Sequence, residues 1–325
     1  MKKVFLFEPS IASNNLGDEV IVQGCKNALS DFLDKNYVVE VPTHTPLSNR
    51  YTLFMGKPDI RIVCGSNILT GKLDQLRHVK QWALNYATAW QLHNCIFIGV
   101  GAQKYQKCNL YTKTVYRKMF YPEYLHSVRD AYTEDFLRKI GITNVLNTGC
   151  PTMWRLTSEH CKLIPRQKAE RVVLTLTDYS KNVTRDEFII KTLLEHYREV
   201  FFWSQGANDF TYFSTLRGAD RIKILPPNLI GYDRFLEENE TDFIGTRLHG
   251  GMRALQKKKR AIIIGIDNRS IELNRDFNIP VLNHEKLGDL PEMIENQLVT
   301  NIHLNTENIR RFLSQFGIMY QEKIR

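Results

Sequence analysis

Cysteine is scarce and unpatterned in this chain of 325 residues. The six present (Cys25, Cys64, Cys95, Cys108, Cys150, Cys161) form no CxxC pair and share no zinc-like spacing with histidine. This excludes a disulfide scaffold and a zinc finger, and leaves mostly reduced core thiols. No run of about 18 apolar residues occurs, so a membrane-crossing helix is not expected, and Ala261–Ile266 has the length of a buried strand. The opening run Val4-Phe5-Leu6-Phe7 stops at Glu8 and Pro9, too short for a signal-peptide core, so the chain is read as cytoplasmic. In such a chain the sequons at Asn182, Asn239 and Asn268 are chance matches. There is no Walker A sequence, and Gly99-x-Gly101 runs into Ala102-Gln-Lys104 without the third glycine of a dinucleotide fingerprint. Repeats and low-complexity tracts are missing too, and the block Lys257-Lys-Lys-Arg260 reads as a solvated helix end.

What remains is ordinary globular composition, with 43% apolar and 24% charged residues. The length favours two domains. The net charge of +9 suits an anionic partner: a phosphate, an acidic sugar, nucleic acid or a lipid surface.

Short β-branched or aromatic runs alternate with stretches of helical period, the pattern of parallel sheets covered by helices. Strands are expected at Val4–Phe7, Tyr37–Val41, Ile60–Cys64, Cys95–Ile98, Leu125–Val128 and Asn144–Asn147, with helices near Asp18–Leu33, Leu73–Leu92, Tyr111–Phe120 and Thr133–Ile140. The charged, Pro-containing segment Thr157–Lys168 reads as a linker, placing domains at 1–165 and 166–325. Alternation then restarts, with strands at Arg171–Thr177, Glu199–Trp203, Arg221–Leu225, Asp242–Gly245, Ala261–Ile266 and Val281–Leu282. The helices expected here are Arg185–Tyr197, Phe210–Leu216, Tyr232–Glu238, Leu248–Lys257 and Leu290–Gln297, and a last amphipathic stretch, Thr306–Tyr320, is expected to pack back on the first domain. The fold class is α/β, with two Rossmann-like doubly wound domains.

In open α/β sheets ligands bind beyond the carboxyl ends of the strands. Those segments are unusually rich here: Asn14-Asn-Leu-Gly-Asp-Glu19, Gly65–Gly71, Gly99-Val-Gly-Ala-Gln103 and Arg129-Asp130 in the first half, then Thr177-Asp-Tyr179, Ser204-Gln-Gly206, Gly245–Gly251 and Gly265–Arg269. Two such edges facing each other would form a cleft. Asn15 and Asp18 equally suit a helix cap. In Thr246-Arg-Leu-His-Gly-Gly251 a cation and a histidine meet the amides that open a helix, an arrangement suited to an anion.

At these residues the sequence resembles the polysaccharide pyruvyl transferase family, over most of its length. The carriers are Asn15-Leu-Gly-Asp-Glu19, Gly99-Val-Gly-Ala-Gln103, Ser127-Val-Arg-Asp130, Gly149-Cys-Pro-Thr152 and Gly245-Thr-Arg-Leu-His-Gly250. The resemblance implies a GT-B-like arrangement of the two domains, acceptor on the N-terminal side and phosphoenolpyruvate on the C-terminal side. It also implies transfer of the carboxyvinyl unit to a sugar of a cell-surface polysaccharide or its lipid-linked precursor, as in exopolysaccharide biosynthesis. Arg129, His249 and Arg269 correspond to the family's donor-binding residues; Arg269 stands where the family often has Lys, and Gly65-Ser-Asn-Ile-Leu69 is less glycine-rich than in relatives.

On this basis His249, Asp18 and Glu19 are the catalytic candidates, and Arg129, Arg247, Arg269, Asn15, Gly17, Gly250 and Gln103 the substrate-binding ones. No cofactor and no metal are expected, with phosphoenolpyruvate as donor substrate. The expected partners are that donor and a glycan or lipid-linked acceptor, with peripheral contact at the inner face of the membrane, no nucleic acid, and a homo-oligomer left open. Two alternatives remain: a GT-B glycosyltransferase using a nucleotide sugar, and a non-catalytic binder of anionic glycan or nucleic acid with Trp82, Trp90, Trp154 and Trp203 as stacking surfaces.

Overall fold

The computed structural model describes residues 1–45, 51–74, 81–82 and 84–320. Six runs of the first half become the strands β1 (Lys3–Glu8), β2 (Tyr37–Pro42), β3 (Ile60–Leu69), β4 (Cys95–Ala102), β5 (His126–Val128) and β6 (Val145–Asn147). They pair parallel in the order β2-β1-β3-β4-β5-β6. Six more, β7 (Arg171–Thr175), β8 (Glu199–Phe202), β9 (Lys223–Ile224), β10 (Asp242–Gly245), β11 (Ala261–Gly265) and β12 (Val281–Asn283), form a second parallel sheet in the order β12-β11-β10-β7-β8-β9. The second order, numbered within its own sheet, is the 3-2-1-4-5-6 winding of the Rossmann fold, and the first begins with the 2-1-3-4-5 winding of flavodoxin-like sheets. In each sheet the winding reverses at one point, between β1 and β3 and between β7 and β10. In open α/β sheets ligands bind at such points.

The central strands of each sheet are buried on both faces, which is why they read as continuous apolar runs. In the first, Phe97 stacks on Phe120 with ring centroids 3.9 Å apart; in the second, Phe202 stacks on Phe213 and Trp203 on Tyr232, also at 3.9 Å. The cysteines are free, and all but Cys108 are buried. Among the described residues no helix is long and apolar enough to cross a membrane.

The structure departs from the sequence reading in several places. β3 and β4 run four or five residues further than expected, so Gly65–Leu69 and Gly99–Ala102 are strand rather than loop, with the register between them shifting from Ser66 to Leu69. Backbone pairing across the two strands carries them past the apolar runs that marked their starts. The helix Asn268–Phe277 lacks the apolar periodicity that would reveal it, but Asp267 caps it by accepting from the amides of Arg269 and Ser270. Of the helix expected over Leu73–Leu92, residues 75–80 and 83 lie outside the described residues, and Tyr86–Gln91 is helical.

Of the described residues, 1–13, 21–154 and 304–320 form one compact unit, and 14–20 with 155–303 the other. The division falls at Trp154, not near Pro165. Thr157 caps a short helix, Ser158–Lys162, whose buried His160 bonds the Leu255 carbonyl at 2.8 Å, and Leu298 N donates to Arg166 O at 3.0 Å. Those bonds tie the supposed linker to the second unit. In the first unit the helix Thr306–Ser314 lies against β6, where Asn308 Nδ2 donates to Asn147 O at 3.0 Å, and Gln315 pairs with both backbone groups of Leu125.

Candidate functional site

The second unit gathers most of the candidate residues at its winding reversal. β7 ends at Thr175 and leads into Asp178 and Tyr179; β10 ends at Gly245 and leads through Arg247 into the helix Leu248–Gln256. Thr177 and Thr246 hydroxyls bond each other at 2.7 Å across this junction. His249 and Gly250 lie buried in the first turn of that helix, where backbone N–H groups lack intrahelical partners.

Arg247 is 4% exposed, and its charge is already met. Nε donates to Asp209 Oδ2 at 2.9 Å, Nη2 donates to Asp209 Oδ1 and, at 2.9 Å, to Asp178 Oδ1. Burial pushes the Asp209 carboxyl up, against the downward pull of Arg247 and of the Gly206 and Asp178 amides. Arg269, in the first turn of Asn268–Phe277, donates through Nε to Asp267 Oδ2 at 2.9 Å and through Nη2 to Asp267 and to the Tyr179 hydroxyl. Burial would lower the pKa of Arg269, but Asp267 and Tyr179 outweigh it and hold the guanidinium charged. The ring of Tyr179 lies 5.0 Å from the Arg247 guanidinium and 6.0 Å from that of Arg269. The cationic cluster read from the sequence thus carries three carboxylates, Asp178, Asp209 and Asp267, for two guanidinium groups. Among the described residues no hydrogen bond engages Nη1 of either arginine.

The segment 14–20 belongs to this unit as well. Asn15 and Gly206 form an antiparallel bridge, Leu16 N donates to Gln205 O at 2.8 Å, and Ala207 N donates to Asn14 O at 2.9 Å. Asn15 Oδ1 accepts from Gly17 N at 3.1 Å, as a helix-opening residue does, and also from Gln205 Nε2 at 2.8 Å. Capping and tethering are therefore combined in one side chain. Asp18 is buried in the first turn of the helix Leu16–Ala28, with Glu19 half-buried beside it. Gln205 occupies the space that two glycines leave open: a Cβ on Gly17 would come within 2.6 Å of Nε2, and one on Gly250 within 3.3 Å of Oε1. Gln205 Oε1 is buried and has no hydrogen-bond partner among the described residues.

Arg129 and Gln103 lie in the first unit. Arg129 Nε donates to Asp130 Oδ2 at 2.9 Å, Nη2 to Ala102 O at 3.1 Å and Nη1 to Asn67 Oδ1. Asp130 also caps the helix Ala131–Lys139 through Thr133 N at 2.7 Å, which accounts for Arg129-Asp130 as a pair. Gln103 continues the backbone ladder by donating from N to Leu69 O at 2.8 Å. The glycines of Gly99-x-Gly101 serve close packing: a Cβ on Gly99, at φ +66°, would sit 2.2 Å from Pro151 Cδ, and one on Gly101 2.2 Å from Arg129 Cζ.

Sequence reasoning missed Asp178, Tyr179, Asp209 and Gln205 as site residues. Three of them lie in segments already marked by their position after β7 and β8. Asp209 opens a helix beyond Gly206 and carries no motif of its own.

No curated protein sequence matches the chain. Among solved structures, the chain is similar to UDP-N-acetylglucosamine 2-epimerase from Rickettsia bellii, at 11% identity over 90% of this chain and 88% of that one, TM-score 0.48. A lipopolysaccharide outer core galactosyltransferase is similar at 11% identity over 90% of each chain, TM-score 0.48. A model of the family described as polysaccharide pyruvyl transferase matches residues 15–268 of the 325, spanning the segment at Asn15, both arginines of the Arg129 and Arg247 motifs, and His249. The chain belongs to the polysaccharide pyruvyl transferase family.

Proposed function

We propose that the protein transfers the carboxyvinyl unit of phosphoenolpyruvate to two hydroxyls of one sugar in a cell-surface polysaccharide or its lipid-linked precursor, giving a pyruvate ketal and inorganic phosphate. The observation that carries this reading is the meeting, in one unit and at one winding reversal, of His249 on a helix N-terminus, the Arg247–Tyr179–Arg269 group and the Asn15–Glu19 segment tied down by Gln205. Phosphoenolpyruvate presents a carboxylate and a phosphate on adjacent positions of a three-carbon frame. Helix amides and the Nη1 edges of two arginines held by one tyrosine suit two such anions.

In the reaction an acid delivers a proton to the vinyl carbon, leaving an oxocarbenium-like centre at the adjoining carbon. One sugar hydroxyl adds there as its proton leaves; the second then displaces phosphate. His249 is assigned the donor phosphate and the proton, and Asp18 or Glu19 the acceptor hydroxyl. Asp209 and Asp178 fix the direction of Arg247, so that Arg247 meets developing charge without reorganising. Arg129 and Gln103 remain substrate-binding candidates of the first unit, and Asn15, Gly17 and Gly250 those that shape the second.

The test is calorimetric binding of phosphoenolpyruvate to the wild-type protein and to His249→Ala and Arg269→Ala variants. Phosphate release is then measured with glycan acceptors, with nucleotide sugars run in parallel. Binding that both variants weaken, followed by acceptor-dependent phosphate release, is expected. Binding of a nucleotide sugar in place of phosphoenolpyruvate would overturn the reading.

A further inference from the structure

The acidic residues are unevenly spread along the chain. From Gln75 to Pro122 there is no Asp or Glu, where the overall frequency of 35 in 325 would place about five, while the same stretch holds seven Lys and Arg. It carries most of the net charge of +9.

In the first unit two helices of this stretch and the segment before the second present residues at the surface. The helix Tyr86–Gln91 has no charged residue, and the helix Leu110–Met119 has Lys113, Arg117 and Lys118 with no acid. The two lie side by side: Tyr86 N donates to the Tyr111 hydroxyl at 3.1 Å, and Lys118 Nζ stands 4.3 Å from the centre of the Trp90 ring. Their outer stripes expose Tyr86, Trp90, Leu110 and Tyr111, with Trp90 60% and Leu110 79% accessible, and Lys104, Tyr105 and Lys107 are exposed in the segment leading to the second helix. Asp74, the acid just before the stretch, is engaged by Asn109 Nδ2 at 2.7 Å.

We propose that this face docks on an anionic lipid bilayer. Tryptophan and tyrosine settle at headgroup depth, lysine and arginine keep their charges among the lipid phosphates while their stems lie along apolar surface, and an exposed leucine gains from entering the acyl boundary. Charge complementarity selects an acidic surface. A neutral glycan would be met by carboxylates and amides beside the aromatic planes, whereas neither helix carries a carboxylate and Asp74 at the edge is engaged by Asn109. The inference does not depend on the identity of the donor.

The protein has a built-in reporter. Trp82, Trp154 and Trp203 are buried, so Trp90 is the exposed one of the four tryptophans. Flotation of the full chain is compared between phosphatidylcholine vesicles and vesicles containing about one third phosphatidylglycerol. Binding to the acidic vesicles at low salt, release at high salt, and a blue shift of emission that Trp90→Phe removes are expected. Lys113→Glu with Lys118→Glu, and separately Trp90→Ala with Leu110→Ser, should each reduce partitioning about tenfold or more while leaving the melting temperature without lipid within a few degrees. The proposal is overturned by absence of flotation, by flotation that neither double variant weakens, or by a Trp90 shift produced by a soluble acidic polysaccharide and not by vesicles. Concentration-dependent protection of Trp90 without lipid would overturn it in favour of a second copy of the chain.

Discussion

Asp209 grips Arg247 with both carboxylate oxygens, and the pair is buried beneath the end of β10. Gly206 makes room for it, since a Cβ there would come within 2.1 Å of Arg247 Nη2. Asp209→Ala strips Arg247 of its two-oxygen partner and leaves it Asp178 alone, so it should cost about 1.5–3 kcal/mol of stability, less than a buried charge with no counter-ion would. Replacing both members with apolar residues of similar volume should return much of that stability but none of the activity. Denaturant unfolding together with phosphate release checks both outcomes; equal activity in the double variant would remove Arg247 from the chemistry.

Tyr179 sets the spacing of the two guanidinium groups, through its ring for both and its hydroxyl for Arg269. Its own ring is largely exposed, so truncation should leave the fold intact. Tyr179→Ala is expected to raise KM for phosphoenolpyruvate about tenfold with a smaller change in kcat, one lost charge-assisted contact being worth roughly 1.4 kcal/mol. Tyr179→Phe should recover part of that loss by keeping the ring. A change confined to kcat would contradict a role in holding the donor.

The alternation of strands and helices was legible because buried parallel strands are apolar throughout, and both six-stranded sheets follow from it. Strand ends were less legible: Gly99 and Gly101 read from sequence as the segment following a strand, whereas they are strand residues that let Pro151 and the Arg129 guanidinium approach. The candidate site was legible where unusual residues concentrate at a strand end, as at Arg247 and His249. It was hidden where a role depends on partners distant in sequence. Nothing in the sequence couples Asn15 to Gln205, 190 positions apart, or assigns Asp209 to Arg247.

The Asn15–Gln205 pair should therefore show energetic coupling. Single substitutions Asn15→Ala and Gln205→Ala each break the 2.8 Å bond, and the double variant should destabilise by less than their sum, with an interaction energy of about 0.5–2 kcal/mol. Additivity within error would mean that the backbone bonds of Leu16 and Ala207 alone hold the segment.

His126 gives the first unit a defined response to acid. The ring is fully buried, Nδ1 accepts from Phe97 N at 3.2 Å, and Nε2 donates to Tyr121 O at 3.0 Å. Protonating Nδ1 would set one N–H against another, and burial lowers the pKa to about 3. Between the unfolded pKa near 6.5 and that value the unfolded chain binds one more proton than the folded one, so this residue makes stability fall as pH falls. Its contribution is intact above about pH 6.5 and declines by up to about 1.4 kcal/mol for each pH unit below it. Denaturant unfolding between pH 7 and pH 4 should show this one-proton slope, and His126→Gln, which keeps an acceptor and a donor without a titrating proton, should remove it. A slope unchanged in that variant would assign the acid sensitivity to other groups.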